Sequence, residues 1–302
     1  VPPSLTIRVP ATTANLGPGF DCLGMALNLW NELTVETSRR LTIEVEGEGA
    51  GSLPRDETNI IFQAIRRFYV KSGKEPPTLA VRCQNRIPLS RGLGSSAAAI
   101  VSGLTAANYL LGRPASRMEI LQEAAAIEGH ADNVAPAIFG GCRLVFKEDG
   151  VYQHREIATL SGPPAAVLFI PDFEMPTSKA RSVLPATISR ADAVFNLSRV
   201  ALLVTSLETG RYRDFKWGTQ DKFHQPYRQN IFPAMDTVFK AALEAGADGA
   251  FLSGSGSTIL AMARLNKSGR VGEAMLRAGA REGVKGKIIV TRPVVKGAHL
   301  VK

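Results

Sequence analysis

Pro88-Leu89-Ser90-Arg91-Gly92-Leu93-Gly94-Ser95-Ser96-Ala97-Ala98 is a glycine-serine loop that runs straight into a helix of small residues, Ser96 to Leu111. Glycines let backbone N–H groups turn inward and come close to an anion, and a helix N-terminus adds about half a positive charge. The stretch is built for phosphate. It lacks the Gly-Lys-Ser/Thr of a Walker A loop and the spacing of a Rossmann GxGxxG, so it is neither of these. Taken by itself it also fits a capped helix after a flexible loop, and the rest of the chain has to decide.

Upstream of the loop, Leu5, Ile7 and Val9 alternate in Ser4 to Pro10, and Gly17-Pro18-Gly19 turns the chain into a second extended stretch, Leu29 to Glu36. Leu41 to Glu46 and Thr78 to Gln84 read as further strands. Between them, Ile61, Ile65, Phe68 and Tyr69 share one face of a helix over Asn59 to Lys71, stopped by Gly73. Downstream, Gly112 and Pro114 end the loop's helix, and Ser116 with Glu119 makes a capping box for a helix reaching Glu128. Arg143 to Lys147 and Val151 to Ile157 form a hairpin through Glu148-Asp149-Gly150.

Ser161-Gly162-Pro163-Pro164 is the linker candidate, which divides the chain into 1–161 and 162–302. The second part reads as strand Ala165 to Ile170, helix Ser189 to Glu208, helix Pro233 to Ala245, strands Ala250 to Leu252 and Thr258 to Ala263, helix Val271 to Arg281 and strand Lys287 to Val290. That order is a split βαβ, ferredoxin-like arrangement with one extra helix. The fold class is α+β, an N-terminal α/β domain carrying the phosphate loop followed by the ferredoxin-like one.

A length of 302 residues suits two domains, and 45% hydrophobic with 21% charged residues is a globular balance. The longest uncharged apolar run, Ala165 to Ile170, falls far short of the ~18 residues of a membrane span, and no export signal is expected at the N-terminus. Cys22, Cys83 and Cys142 are odd in number and widely spaced, which fits a reducing cytoplasm better than a disulfide framework or a CxxC metal site. Lys and Arg outnumber Asp and Glu 36 to 27, a net charge of +9. The basic residues are scattered among acids and apolar residues, so nucleic acid is not expected as a partner and the surplus reads as a solvated basic surface.

Pro88 to Ala98 resembles the nucleotide-binding motif of the GHMP kinases, small-molecule kinases that use ATP without a Walker loop. Pro10-Ala11-Thr12-Thr13-Ala14-Asn15-Leu16-Gly17-Pro18-Gly19-Phe20-Asp21 resembles the first motif of that family, in the form found among its homoserine kinases. Ser253-Gly254-Ser255-Gly256-Ser257-Thr258 resembles the third, a glycine hairpin beside the triphosphate, and Glu128-Gly129-His130-Ala131-Asp132-Asn133-Val134-Ala135-Pro136-Ala137 completes the homoserine-kinase pattern. The four blocks lie in the family's order across nearly the whole chain. One departure is the single Gly129 between Glu128 and His130, where many homoserine kinases have a longer loop.

The resemblance implies ATP-dependent phosphorylation of the side-chain hydroxyl of L-homoserine, on the route to threonine. It implies that Pro88, Arg91, Gly92, Leu93, Gly94, Ser95, Ser96 and Ala97 form the ATP site, with Asn59 near the adenine. Ser96 and Glu128 are the expected Mg²⁺ holders, a hydroxyl and a carboxylate that phosphate and water would complete. Asn15, Asp21, Ser96 and Glu128 make the catalytic set, with Asp21 expected to orient substrate rather than take its proton. Asn15, Asp21, His130, Asp132, Asn133, Arg181 and Arg228 are the substrate candidates, because a carboxylate asks for guanidinium forks and an ammonium for acids. His130 has no second His or Cys at ligand spacing, so it is not expected to bind metal. A homodimer is allowed for. Two other readings stand beside this one: a GHMP kinase for another alcohol such as mevalonate, and a catalytically silent ligand-binding relative.

Overall fold

β1 (Ser4–Asn15) and β2 (Gly19–Thr37) form a long antiparallel hairpin on which the larger of two sheets is built. The computed structural model describes residues 4–157, 162 and 164–301. Both strands outrun their sequence-expected bounds, and the reason is burial on both faces. Ala11 to Ala14 of β1 and Leu23 to Leu27 of β2 are continuously buried, so neither run alternates. The register shifts twice along the hairpin, between Pro10 and Ala11 and between Ala14 and Asn15, which bends β1 toward the site described below.

β3 (Thr42–Gly47) and β4 (Leu79–Asn85) are parallel neighbours, and β4 pairs with the C-terminal half of β2. Between them α1 (Ile60–Lys71) buries Ile61, Ile65, Phe68 and Tyr69, the face its sequence predicts, and is capped by Asn59, whose Oδ1 accepts from the Ile61 N–H at 3.0 Å. α2 (Ser95–Leu110) is buried along most of its length. α3 (Arg117–Glu128) opens on the expected Ser116–Glu119 capping box and closes on Gly129 in the left-handed region. α4 (Val134–Phe139) is a short helix that the sequence reading does not contain. β5 (Cys142–Glu148) and β6 (Val151–Ile157) make the expected hairpin, with Asp149 and Gly150 both at positive φ, and β5 pairs with the N-terminal half of β2.

The expected linker residues Ser161 and Pro163 lie outside the described residues. Beyond them, β7 (Ala165–Pro171) enters a second sheet. The connection that follows is larger than the single extra helix expected. It comprises α5 (Thr177–Ser182), α6 (Arg190–Thr209), a 3₁₀ turn at Tyr212–Asp214, α7 (Phe215–Gly218) and α8 (Gln225–Arg228), then α9 (Met235–Glu244). Four- and six-residue helices carry too few turns for a legible period, which is why the sequence pattern misses them. β8 (Gly249–Leu252), β9 (Ile259–Ala263), α10 (Ser268–Arg281) and β10 (Gly286–Thr291) complete an antiparallel sheet in the order β10-β7-β9-β8, the ferredoxin-like arrangement predicted.

This small sheet is buried on both sides. Val167 and Phe169 of β7, with Ile259, Ala261 and Ala263 of β9, face one core together with α9 and α10; the alternate residues Ala166, Leu168, Ile170, Leu260 and Met262 join the core of the large domain. A strand covered on both faces shows an unbroken apolar run, as Ala165 to Ile170 does. After Thr291 the chain crosses back, and β11 (His299–Val301) pairs with β1 at the edge of the large sheet. The last strand therefore sits in the first sheet, although chain position groups it with the second half. Three residues offer no alternation from which that return could be read.

Gly24 on β2 leaves no space for a side chain, because a Cβ there would lie 1.7 Å from the Asp132 carbonyl oxygen. The loop before α4 thus rests directly on the sheet. Gly24→Ala should force the two apart and lower stability by about 1–3 kcal/mol. A urea denaturation series checks this, and an unchanged midpoint would contradict the close approach.

Candidate active site

The end of β1, the loop before α2 and the loop 253–258 are pressed together backbone to backbone. The Thr12 N–H donates to Leu93 O (3.1 Å), the Gly254 N–H to Ala14 O (3.1 Å) and the Thr258 N–H to Arg91 O (3.1 Å). Ser253 Oγ donates to Gly92 O at 2.6 Å and lies 2.8 Å from Thr13 Oγ1. Gly92 and Gly94 have φ of 70° and 68°, and a Cβ on either would come within 2.0 Å of Ser253 O or Thr12 Oγ1. Only glycine fits either position. Gly94 stands at the N-cap of α2 and offers no side-chain acceptor, so the first amides of the helix carry no side-chain cap, an arrangement that can receive an anion.

These elements bound a cleft of about 690 Å³. Of the predicted residues, Asn15, Asp21, Gly92, Gly94, Ser95, Ser96, Glu128, His130, Asp132, Asn133, Arg181 and Arg228 all line it. Ser96 Oγ donates to Glu128 Oε2 at 2.7 Å. Burial pushes the Glu128 carboxyl above its ordinary value, and the Ser96 hydroxyl and His130 partly offset this. Gly129, in the left-handed region with φ of 90°, folds His130 back so that its Nδ1 donates to Asp132 Oδ1 at 2.6 Å. Asn133 accepts from the Thr12 hydroxyl at 2.8 Å. The Asn15 amide is used at both ends, donating to Gly254 O (2.9 Å) and accepting from the Asp21 N–H (3.0 Å), so it clips the β1–β2 turn to the loop at 254.

The two arginines differ. Arg181 is half-exposed and grips Asp21 with both terminal nitrogens, at 3.0 and 2.7 Å, which holds its own charge more firmly. The two residues expected to meet opposite ends of a substrate thus meet each other. Arg228 is buried at 2% exposure, with Nη1 donating to Gly254 O (2.9 Å) and His224 Nδ1 (3.0 Å) and Nε to Ala180 O (3.2 Å). Both guanidiniums lie over the Phe20 ring, at 5.4 and 5.6 Å. Burial, with Arg181 close by, brings Arg228 down to about 10.

Other predicted residues fall outside this cleft. Arg91 turns its guanidinium to the carbonyls of Pro171 (2.9 Å) and Asp172 (2.7 Å), joining the two domains. The side chains of Pro88, Leu93 and Ala97 are buried beneath the loop. Asn59 lines a neighbouring apolar hollow with Val45, Leu53 and Leu89, whose mouth is shared by Ser95 and Ser96. Met175, Pro176 and Thr177 also stand on the cleft wall, as do Ser90 and Ser255, which lie within the phosphate-loop and glycine-hairpin motifs but are not among the predicted site residues. The sequence reading also missed the support of Arg228. Asp221 accepts from the backbone N–H groups of Phe223 (2.8 Å), His224 (2.9 Å) and Gln225 (2.7 Å), and so fixes the turn entering α8. The i, i+4 spacing of His224 and Arg228 was the available signal.

Residues 59–141 match the GHMP kinases N terminal domain and residues 205–281 the GHMP kinases C terminal domain. A homoserine kinase of Trichormus variabilis is 46% identical over 93% of this chain and 94% of its own, and one of Desulfitobacterium hafniense is 44% identical over 98% and 99%. The crystal structure of homoserine kinase from Cytophaga hutchinsonii matches with a TM-score of 0.88 at 31% identity, covering 99% of this chain and 98% of the other. The chain belongs to the homoserine kinase family of GHMP kinases. It is therefore a kinase whose phosphoryl donor is ATP. A mevalonate kinase structure also matches, with a TM-score of 0.72 at 16% identity, a likeness of fold alone.

Within this family member, His224 is a buried neutral group. Its Nε2 donates to Gly17 O at 2.7 Å and its Nδ1 accepts from Arg228; burial, together with the Arg228 charge, brings its pKa from 6.5 to about 4. The unfolded chain binds that proton at higher pH than the folded one. Stability from this residue is therefore complete above pH ~6.5 and is lost as pH falls toward 4. Urea midpoints should fall between pH 7 and pH 5 by the equivalent of about 2 kcal/mol. In His224→Gln that part of the slope should vanish, and an unaltered slope would place the proton elsewhere.

Proposed function

We propose that the chain transfers the γ-phosphoryl group of ATP to the side-chain hydroxyl of L-homoserine, giving O-phospho-L-homoserine and ADP. The observation that carries this reading is the juxtaposition in one cleft of the uncapped α2 N-terminus and the Ser96–Glu128 pair with Asp21, Arg181 and Arg228. The first two suit a triphosphate. The last three suit an amino acid, whose carboxylate wants donors and whose ammonium wants acceptors. Relatives named homoserine kinase, 44–46% identical, support the same acceptor.

Phosphoryl transfer forms a bond from the acceptor oxygen to the γ-phosphorus and breaks the one to the β-phosphate oxygen, so the protein's task is positioning and charge neutralisation. The amides of Gly94 to Ser96 and the α2 dipole lie where the phosphates would be drawn. Asn59 and the apolar hollow around it receive the adenine in this reading. Ser96 Oγ and the Glu128 carboxylate would hold Mg²⁺. They fit it in donor chemistry, a hydroxyl and a carboxylate oxygen 2.7 Å apart on the cleft wall, hard oxygen donors that leave positions for phosphate and water. When bound, Mg²⁺ supplies positive charge to the phosphate oxygens.

Asp21 orients the acceptor. Its carboxylate accepts two guanidinium hydrogen bonds, an arrangement suited to holding an ammonium beside Arg181 rather than to collecting a proton, and a loose transition state lets the hydroxyl keep its proton until late. His130, Asp132 and Asn133 complete the polar wall. A cytoplasmic setting goes with this reading, in keeping with three free cysteines. So does a homodimer, supported by Val194 and Leu197, which stand exposed one turn apart on α6.

A coupled ADP-release assay tests the reading, with L-homoserine expected to be strongly preferred over mevalonate. Equal or better turnover of mevalonate would overturn it. Glu128→Gln should lose roughly a hundredfold in kcat and require more Mg²⁺; a near-normal rate with unchanged Mg²⁺ dependence would assign the metal to another group.

Arg181→Ala should raise the homoserine KM roughly tenfold or more and leave the ATP KM nearly alone. Arg228→Ala should do the same and also unfold at lower urea, because it empties a buried site, removes the side-chain donor to the Ala180 carbonyl and leaves Gly254 O with Asn15 alone. Wild type and both variants handling homoserine and its methyl ester alike would show that neither arginine reads the carboxylate.

A further inference from the structure

A second cleft, about 1170 Å³, lies at the opposite ends of the helices that carry the phosphate loop. It is bounded by the last turn of α2, the first turn of α3, the end of α4 and residues 295–299. Its charge is one-sided. Arg113, Arg117 and Lys296 line it and no Asp or Glu does, and none of these three has an ion pair among the described residues.

Arg113 stacks on Tyr109 at 4.4 Å, from a backbone held in the left-handed region at φ of 65°. Arg117 donates to the carbonyls of Ile138 and Ala298 and lies 5.2 Å over the Phe139 ring, which Arg143 also faces at 5.8 Å. Burial and the Arg143 charge push Arg117 below arginine's ordinary range. Arg143 is itself paired with Glu156 at 3.3 Å, which leaves Arg113, Arg117 and Lys296 as the cations a bound anion would stabilise. The N-terminus of α3 does not supply the attraction, since Glu119 already caps it. Ile120 and Ile138 make the walls apolar, and the Asn108 amide is spent at both ends on Ala115.

We propose that this cleft binds a small organic anion with a flat apolar body and that its occupation adjusts nucleotide binding at the phosphate loop. The cations take the anionic group, and the apolar wall of Ile120 and Ile138 takes the body. Three helices connect the two sites. α2 presents Ser95 and Ser96 to the active-site cleft and Tyr109 to this one, roughly 20 Å apart along the axis. α3 runs from Arg117 here to Glu128 there, and α4 from its cap Asn133 there to Ile138 and Phe139 here. A ligand that shifts these rods at one end shifts the groups at the other, because packed helices move as units.

Phenyl phosphate serves as the probe, titrated calorimetrically into the full chain already loaded with Mg²⁺ and a non-hydrolysable ATP analogue, so that the phosphate loop is not the site measured. Saturable binding is expected, weaker for inorganic phosphate. The double variant Arg113→Ala/Lys296→Ala should bind the probe at least tenfold less well and keep the wild-type kinase rate when no probe is present. In wild type the probe should change the Kd of the analogue about fivefold or more, and in the double variant it should not. Absence of saturable binding, undiminished binding by the variant, equal affinity for inorganic phosphate, or an analogue Kd that ignores the probe would each overturn the proposal. The binding measurements do not involve homoserine, so they can be read whatever the acceptor proves to be.

Discussion

Gly92 and Gly94 stand where a methyl group would strike Ser253 O or Thr12 Oγ1 at 2.0 Å, and that absence of side chains lets three backbones from distant parts of the chain lie against one another. The end of β1, the phosphate loop and the loop 253–258 are bonded amide to carbonyl across this contact. Everything chemical in the cleft is referred to it. Asn15 clips the β1–β2 turn onto Gly254, Thr12 holds Asn133, and Arg228 reaches Gly254 from beneath. A side chain at Gly92 would push the loop away from Ser253 of the second domain, and one at Gly94 would part α2 from Thr12 of β1. Arg91 reinforces the same join, spending its guanidinium on the Pro171 and Asp172 carbonyls and on the Glu174 carboxylate at 3.5 Å.

Charge in the cleft is organised by pairing and burial. Asp21 and Arg181 neutralise each other at the half-exposed wall; in the proposed function, acceptor binding exchanges at least part of that ion pair for contacts with the substrate. Arg228 instead stays fixed by a neutral histidine and two carbonyls, a donor whose orientation does not depend on what occupies the cleft. Phe20 lies under both guanidiniums and sets their spacing. One arginine is thus exchangeable and one is built in.

The helices of the large domain are also conduits. α2, α3 and α4 each have one end at the cleft proposed for phosphoryl transfer and the other at a basic cleft walled by residues 295–299, where β11 returns to pair with β1. The chain's final strand closes the wall of that second cleft and borders the strand that leads to Asn15. The second cleft and the catalytic one are in this way parts of one mechanical unit.

Local sequence determined a good deal of this. The glycine pattern of Pro88 to Ala98, the Ser116–Glu119 box, the Asp149-Gly150 turn and the helical face of Asn59 to Lys71 depend on φ, caps and periodicity within a few residues, and the structure has each as read. Most of the cleft's lining was also named in advance, because its chemistry is concentrated in short motifs. What the chain could not show alone is which partners meet across long separations. The extra length of β1 and β2, hidden because both faces are covered, the pairing of Asp21 with Arg181, the return of β11 and the use of Arg91 as a tie between domains all join residues far apart in sequence. Local preference specifies turns and helices, whereas partner choice follows from packing and desolvation, which exist only once the chain has closed on itself.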